Sequence, residues 1–221
     1  MAVIAWIGAG KMGLPVCKRL KDAGHDVRVL ARSPERNAAL EAEGLATAST
    51  VPALINGADI IFTCVSDDKA LADVLLSDGF AASAPPDATL IDMSTVSPAI
   101  SAEVADKLPA GLAYLRAPVS GSTAMASTGT LTALVSGPEQ VFIAMAPVFA
   151  AFTKKAFHLG TGEEARVLKL VINSLVAATS ALLGEALAVG LKGGLNNEAM
   201  LEVINQSAVA SLLIGYKTAM I

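Results

Sequence analysis

Aromatic residues make up only 4% of the 221 residues, with one Trp and two Tyr, and the chain holds two Cys and two His. A core poor in aromatics must be built from Ala, Leu and Val, within a hydrophobic content of 53%. That composition suits helices and parallel strands buried on both faces. Cys17 and Cys64 are far apart and lack metal-ligand spacing, so no metal site is expected and both read as buried free thiols of a reducing compartment. Neither His25 nor His158 has a partner for a serine triad, which sets nucleophilic hydrolysis aside. Basic charge is not in excess, with 16 Lys and Arg against 20 Asp and Glu, and the cations are scattered, so no nucleic-acid partner is expected. No leader pattern precedes Val3, which points to the cytoplasm. Residues 170–191 form the longest apolar stretch, yet they include Asn173, Ser174, Thr179, Ser180 and Glu185. A buried helix of a soluble protein fits them better than a membrane span.

The strongest positive signal lies in the first thirteen residues. An apolar run, Val3–Ile7, leads directly into Gly8-Ala9-Gly10-Lys11-Met12-Gly13, and a helical pattern follows. This strand–glycine–helix order seats a pyrophosphate on backbone N–H groups at a helix N-terminus. The first glycine permits the turn, the second lets phosphate approach, and the third lets helix and strand pack.

Strand and helix patterns then alternate. Strands are expected at 26–31, 46–48, 59–65, 88–93, 111–117, 131–136 and 155–158, and helices at 14–23, 34–43, 51–55, 67–76, 98–108 and 139–151. Ser33-Pro34 and Ser97-Pro98 are cap and first-turn pairs. The alternation implies a mainly parallel sheet with right-handed crossovers. From Glu163 the pattern is continuously helical to about Lys192, where Gly193 and Gly194 stop it; Asn196 or Asn197 caps a second helix to about Gln206, and a third starts near Ser211. The expected organisation is α/β: a Rossmann-type, mainly parallel sheet domain at 1–162, then a long helix and an incomplete all-helical domain at 163–221.

The end of the second strand meets the adenosine ribose in this fold, where an acid selects NAD. Here the residues are Ala31, Arg32 and Ser33, with Arg36 a turn later. An arginine and a hydroxyl suit a 2′-phosphate, so NADP is favoured, with NAD possible. The bland alternative makes Arg32 a solvated loop residue and Ser33 only a cap. Val65 and Ser66 follow another strand end and are candidates for the nicotinamide side, while Asp67 and Asp68 fit a helix start at least as well.

Four segments together resemble the β-hydroxyacid dehydrogenases, the group of 3-hydroxyisobutyrate dehydrogenase and the tartronate semialdehyde and glyoxylate reductases. They are the glycine segment with Met12, Asp92-Met93-Ser94-Thr95, Ala117-Pro118-Val119-Ser120-Gly121 with Gly129-Thr130-Leu131 behind it, and Lys169-Leu170-Val171-Ile172-Asn173. They lie in the family's order across the whole chain. By periodicity alone, Lys169 among apolar neighbours reads as a lysine snorkelling to solvent. The resemblance implies instead that Lys169 is the general acid and base, with Asn173 on the same helix face orienting it or holding a substrate oxygen. It also implies that Ser120 and Gly121 bind a substrate carboxylate, assisted by Thr95, which also borders the cofactor; the alternatives are a plain turn and a helix cap. The implied reaction is hydride transfer between nicotinamide and a small β-hydroxyacid or semialdehyde. An imine reductase on the same scaffold is opposed by Lys169, and a non-catalytic nucleotide-binding protein is the other alternative.

Three departures stand out. Arg116 replaces the acid usual before Ala117-Pro118, altering either substrate charge preference or a structural salt bridge. Ser122 replaces a second glycine, and Glu163 and Ala165 occupy positions often glycine. The resemblance further implies later helices with a Lys-Asp pair, and a homodimer or homotetramer built through the helical domain.

Overall fold

The computed structural model describes residues 1–31 and 33–218, which form two compact units, 1–169 and 170–221. In the first unit, β1 (Val3–Ile7), β2 (Asp26–Leu30), β3 (Ala46–Ala48), β4 (Ile60–Thr63), β5 (Thr89–Asp92) and β6 (Ala113–Arg116) form one sheet in the order β3-β2-β1-β4-β5-β6. Every pairing in it is parallel. Such strands need apolar residues on both faces, and β4 and β5 are buried at every position. Strand order reverses between β1 and β4, so a crevice opens there at the carboxyl ends.

The intervening helices are α1 (Gly13–Asp22), α2 (Pro34–Ala42), α3 (Val51–Ile55), α4 (Asp68–Leu75), α5 (Asp78–Ser83) and α6 (Pro98–Lys107). The Ser33 and Ser97 side chains cap α2 and α6 by accepting from the Arg36 and Ile100 N–H groups. Both prolines occupy the first helical turn, where a missing N–H costs nothing.

Beyond β6 the strands leave this sheet. β7 (Val119–Ser120), β8 (Leu131–Val135) and β9 (Thr153–His158) form a separate three-stranded sheet, with β7 antiparallel and β9 parallel to β8. Only Ala117-Pro118 separates β6 from β7, far too few residues for a parallel crossover, and Pro118 has no N–H for a ladder. An antiparallel bridge from Arg116 to Ser136 joins the two sheets. Two short helices, α5 and α7 (Thr123–Thr128), and strand β7 escaped the sequence pattern, whereas α8 (Glu139–Ala150) followed it.

Side chains alternate across the main sheet. Ile4 and Trp6 join one core cluster, Ala5 and Ile7 the other. The scarce aromatics gather on the first side: Trp6 stacks on Phe62 with centroids 4.8 Å apart, and Phe62 meets Phe152 edge-on at 6.1 Å.

Helix α9 (Glu164–Lys192) supplies its first residues to the first unit and the rest to the second, where α10 (Asn197–Gln206, capped by Asn196) and α11 (Leu212–Thr218) follow. The second unit has a small core of Leu183, Leu187, Met200, Leu201 and Ile214. By length and composition α9 could cross a membrane. In the single chain its apolar surface is only partly covered, with Leu175, Leu182 and Val189 63%, 65% and 72% exposed. Within this unit α10 and α11 cover one stripe of it.

Phe62 lies at 0% exposure between two aromatic rings, so its side chain cannot be removed without leaving a cavity. Phe62→Ala should cost about 3–5 kcal/mol, read as a lowered urea midpoint at unchanged slope.

Candidate active site

A cavity of about 860 Å³ opens in the crevice, lined by residues 8–14 and by Leu30, Ser33, Arg36, Cys64, Val65, Ser66 and Ala70. It therefore gathers the predicted Gly8, Ala9, Gly10, Lys11, Met12, Gly13, Ser33, Arg36, Val65 and Ser66. Leu30, Cys64, Ala70 and Leu14 were not anticipated. Ala31 is buried rather than lining the cavity, with its N–H bonded to the Ala48 carbonyl. Arg32 lies outside the described residues.

The three glycines answer to different constraints. Gly8 has φ +96°, and a Cβ there would collide with the Cys64 carbonyl oxygen. A Cβ on Gly13 would meet the Gly8 carbonyl and lie 2.9 Å from Trp6 Nε1. Around Gly10 a Cβ would meet nothing within 4 Å, and its φ is not of the left-handed kind. Folding therefore explains Gly8 and Gly13, while the bare backbone at Gly10 faces open cavity, as close approach of a phosphate requires. Helix α1 has no side-chain cap and no acid in its first turn, which leaves its N–H groups and positive end available to an anion. The residues present thus fit a dinucleotide.

Arg36 reaches from α2 to the rim of this loop, where its guanidinium donates to the Ala9 carbonyl. Beside it, the Ser33 hydroxyl and backbone N–H hold the Glu35 carboxyl below its usual range. On the opposite wall, the Val65 N–H donates to Ser94 Oγ at 2.9 Å, and the Ser66 hydroxyl donates to Asp67 at 2.7 Å. The alternative reading of the two aspartates holds. Asp67 caps α4, and Asp68 accepts from the Ser97 N–H and hydroxyl. Cys64 lies just past β4 rather than within it, and burial pushes its thiol up to about 12. Burial likewise raises Cys17. Among the described residues no group of His, Cys, Asp or Glu could hold a metal.

Thr95, Ser120, Gly121, Lys169 and Asn173 do not line this cavity. Thr95 is exposed and does not cap α6, a role that Ser97 fills. Ser120 is half-buried and belongs to strand β7 rather than to a turn, paired with Thr132; Gly121 follows it at φ +143°. Ser122, in place of a glycine, caps α7 through the Met125 N–H. Asn173 lies one turn beyond Lys169 on α9, in the second unit.

Lys169 is half-buried, and burial lowers its amine from the ordinary lysine range. One helical turn before it on α9 lies a residue that the sequence pattern did not single out. Arg166, 1% exposed, donates to the Ser94 carbonyl, to Asp92 and, at 3.2 Å, to the Tyr114 hydroxyl. Ser94 also receives the Val65 N–H from the cavity wall. One serine thereby ties the nucleotide crevice to the helix turn that precedes Lys169. Nothing local marks Arg166, because its carboxylate partner is 74 residues away.

Residues 3–160 match the family described as the NAD binding domain of 6-phosphogluconate dehydrogenase, and residues 162–221 match that described as NAD-binding of NADP-dependent 3-hydroxyisobutyrate dehydrogenase. The chain is 34% identical over 210 residues to 3-hydroxyisobutyrate dehydrogenase of Pseudomonas aeruginosa, covering 94% of this chain and 70% of that one. It is 36% identical over 217 residues to 2-(hydroxymethyl)glutarate dehydrogenase of Eubacterium barkeri, covering 97% and 72%. A solved structure of the Mycobacterium tuberculosis 3-hydroxyisobutyrate dehydrogenase with L-serine superposes with a TM-score of 0.82 at 29% identity, covering 96% of this chain and 73% of that one.

The contrast among the glycines has a direct test. Gly10→Ala should leave the melting temperature within about 2 °C yet weaken dinucleotide binding by tenfold or more, while Gly8→Ala should lower stability by about 2 kcal/mol or more. The chain's one tryptophan, Trp6, lies beneath the loop, so loss of its fluorescence on NADPH addition measures binding.

Proposed function

The chain belongs to the β-hydroxyacid dehydrogenase family, and from that premise we propose that it interconverts a small β-hydroxyacid and its semialdehyde, using NADP in preference to NAD and Lys169 as general acid and base. Its relatives support the coarser activity, an NAD(P)-dependent hydroxyacid dehydrogenase. The observation that carries the finer reading is the hydrogen-bonded path from Val65 in the crevice through Ser94 to Arg166, one helical turn before the half-buried Lys169. When bound, the nicotinamide ring accepts or supplies the hydride.

The protein side of the reaction follows from the residues. Ser33 and Arg36 hold the adenosine end, where the guanidinium exchanges its bond to the Ala9 carbonyl for a 2′-phosphate. The first turn of α1 holds the pyrophosphate. The Ser120 hydroxyl and the backbone N–H groups near Gly121 fix the substrate carboxylate, with Thr95 and Asn173 assisting. Lys169 gives a proton to the carbonyl oxygen as it becomes an alcohol, and removes that proton in the reverse direction. A desolvated amine exchanges a proton nearer neutral pH than a free lysine does. The exposed Leu175, Leu182 and Val189 of α9 are covered by a second copy in a homodimer or homotetramer.

The lowered Lys169 amine sets the sign of the pH dependence. Reduction needs the charged form, so its kcat is constant at low pH and falls as pH rises through the lowered pKa. Oxidation needs the neutral form, and its rate rises over the same interval. Lys169→Ala should reduce kcat by about 10²–10⁴-fold and abolish that limb while NADPH still quenches Trp6; undiminished turnover on a panel of short aldehyde acids refutes the role.

Separate NADPH and NADH titrations test the cofactor preference. Arg36→Ala should weaken NADPH about tenfold and NADH hardly at all, as loss of one charge-assisted hydrogen bond predicts. Equal weakening of both would give Arg36 no part in selecting the phosphate.

A further inference from the structure

The start of α9 is held by four charges in a crossed arrangement. Thr63, Asp92 and Arg116 end three adjacent strands and are register partners, forming one row at the carboxyl edge of the sheet. Glu163 immediately precedes α9, and Arg166 lies within its first turn. The pairs run from sheet to helix with opposite polarity. Asp92 on the sheet takes Arg166 from the helix, while Arg116 on the sheet donates to Glu163 Oε1 through Nε at 2.8 Å and Nη2 at 2.6 Å.

Tyr114 stands between the two pairs. Its ring lies under the Arg116 guanidinium at 4.4 Å, and its hydroxyl reaches both Asp92, at 3.3 Å, and Arg166. Burial, and then the Asp92 charge, push that hydroxyl up to about 12, so it stays protonated as a donor. The second Glu163 oxygen, Oε2, is buried without a partner among the described residues, which makes Arg116 the group that neutralises this carboxylate.

Two charge pairs of opposite sense resist both sliding and rotation of the helix, because any shift that shortens one pair lengthens the other or brings like charges together. We propose that this quartet, Asp92, Arg116, Glu163 and Arg166, is the positioning device for Lys169: it sets the depth and rotation of the helical turn that carries the lysine, and thereby the rate of proton transfer to substrate. The inference rests on the assignment of Lys169 as general acid and base. It joins Arg116 and Glu163 as halves of one interaction. Burial is what lowers the Lys169 amine, so a turn held less deeply leaves that amine closer to an ordinary lysine.

Glu163→Gln and Arg166→Lys weaken one pair each while keeping size or charge, and the double variant Arg116→Glu with Glu163→Arg reverses one pair intact. Three quantities are read on the whole chain: NADPH affinity from Trp6 fluorescence, kcat and KM with their pH profile, and the pH midpoint of Lys169 labelling by an amine-reactive anhydride, followed by mass spectrometry. The single variants should keep NADPH affinity within about twofold and KM within about threefold, lose roughly tenfold or more in kcat, and raise the labelling midpoint by about half a unit or more. The reversed pair sets two acids side by side on the sheet edge against two arginines on the helix, so the crossed polarity is lost, and it should not recover the kcat lost in Glu163→Gln. Variants that melt earlier yet keep the wild-type kcat and labelling midpoint would give the quartet a stability role and overturn the inference. Full turnover in Lys169→Ala overturns the assignment beneath it, whereas lost turnover there beside unchanged quartet variants overturns the positioning role alone.

Discussion

A buried carboxylate facing a buried guanidinium at the edge of the sheet is the constraint from which the rest of the site takes its geometry. Taking both ions out of water costs several kcal/mol each, and their attraction compensates only if the remaining donors and acceptors are also met. Here they are. Asp92 Oδ1 accepts from the Thr63 hydroxyl at 2.7 Å and the Ser94 N–H at 2.9 Å, while Oδ2 accepts from Arg166 and Tyr114. Arg166 spends its fork on Asp92, the Ser94 carbonyl, the Tyr114 hydroxyl and Ser101. Such a network contributes little net stability over an apolar core of equal volume, yet removing one member costs about 3–5 kcal/mol. In the positioning role proposed for it, what it supplies is a single permitted position for the start of α9.

The nucleotide crevice depends on the same edge through a neutral link. Ser94 is held by Asp92 and Arg166 and in turn accepts the Val65 N–H. Val65 is the second residue past β4, and the carbonyl of Cys64 before it is what forbids a side chain at Gly8. The glycine loop, the opposite wall of the crevice and the start of the lysine-bearing helix therefore rest on adjacent parallel strand ends. Parallel order matters because it brings every one of those ends to the same side of the sheet.

What the sequence disclosed followed the range of the forces involved. The glycine loop, the Ser-Pro caps and the alternation of strands with helices are set by neighbours a few residues apart, and they could be read directly. The strand order came with the fold those local patterns imply. Arg166 was invisible, because an arginine at the start of a helix looks solvated until its partner 74 residues away is known. The short elements α5, β7 and α7, of six, two and six residues, carry too little periodicity to register. Residues 170–191 were legible only in part: apolar content reports that a surface will be covered, not whether the cover lies within the same chain.

Arg116 shows how a residue changes meaning once its partner is known. Taken singly, an arginine just before Ala117-Pro118 suggests a cation facing an anionic substrate. Its guanidinium is instead bonded to Glu163 and stacked on Tyr114, with the side chain 9% exposed. Glu163 in its turn accepts both Arg116 bonds on one oxygen. The two charges cancel and are intelligible only together. An arginine already engaged in this way is not free to pair with a substrate carboxylate. In the proposed site that task falls to neutral donors, the Ser120 hydroxyl and the backbone near Gly121, whose hold on an anion is weaker and more geometric than a guanidinium's. Selectivity would then come from the fit of the carboxylate between β7 and α7 rather than from net positive charge.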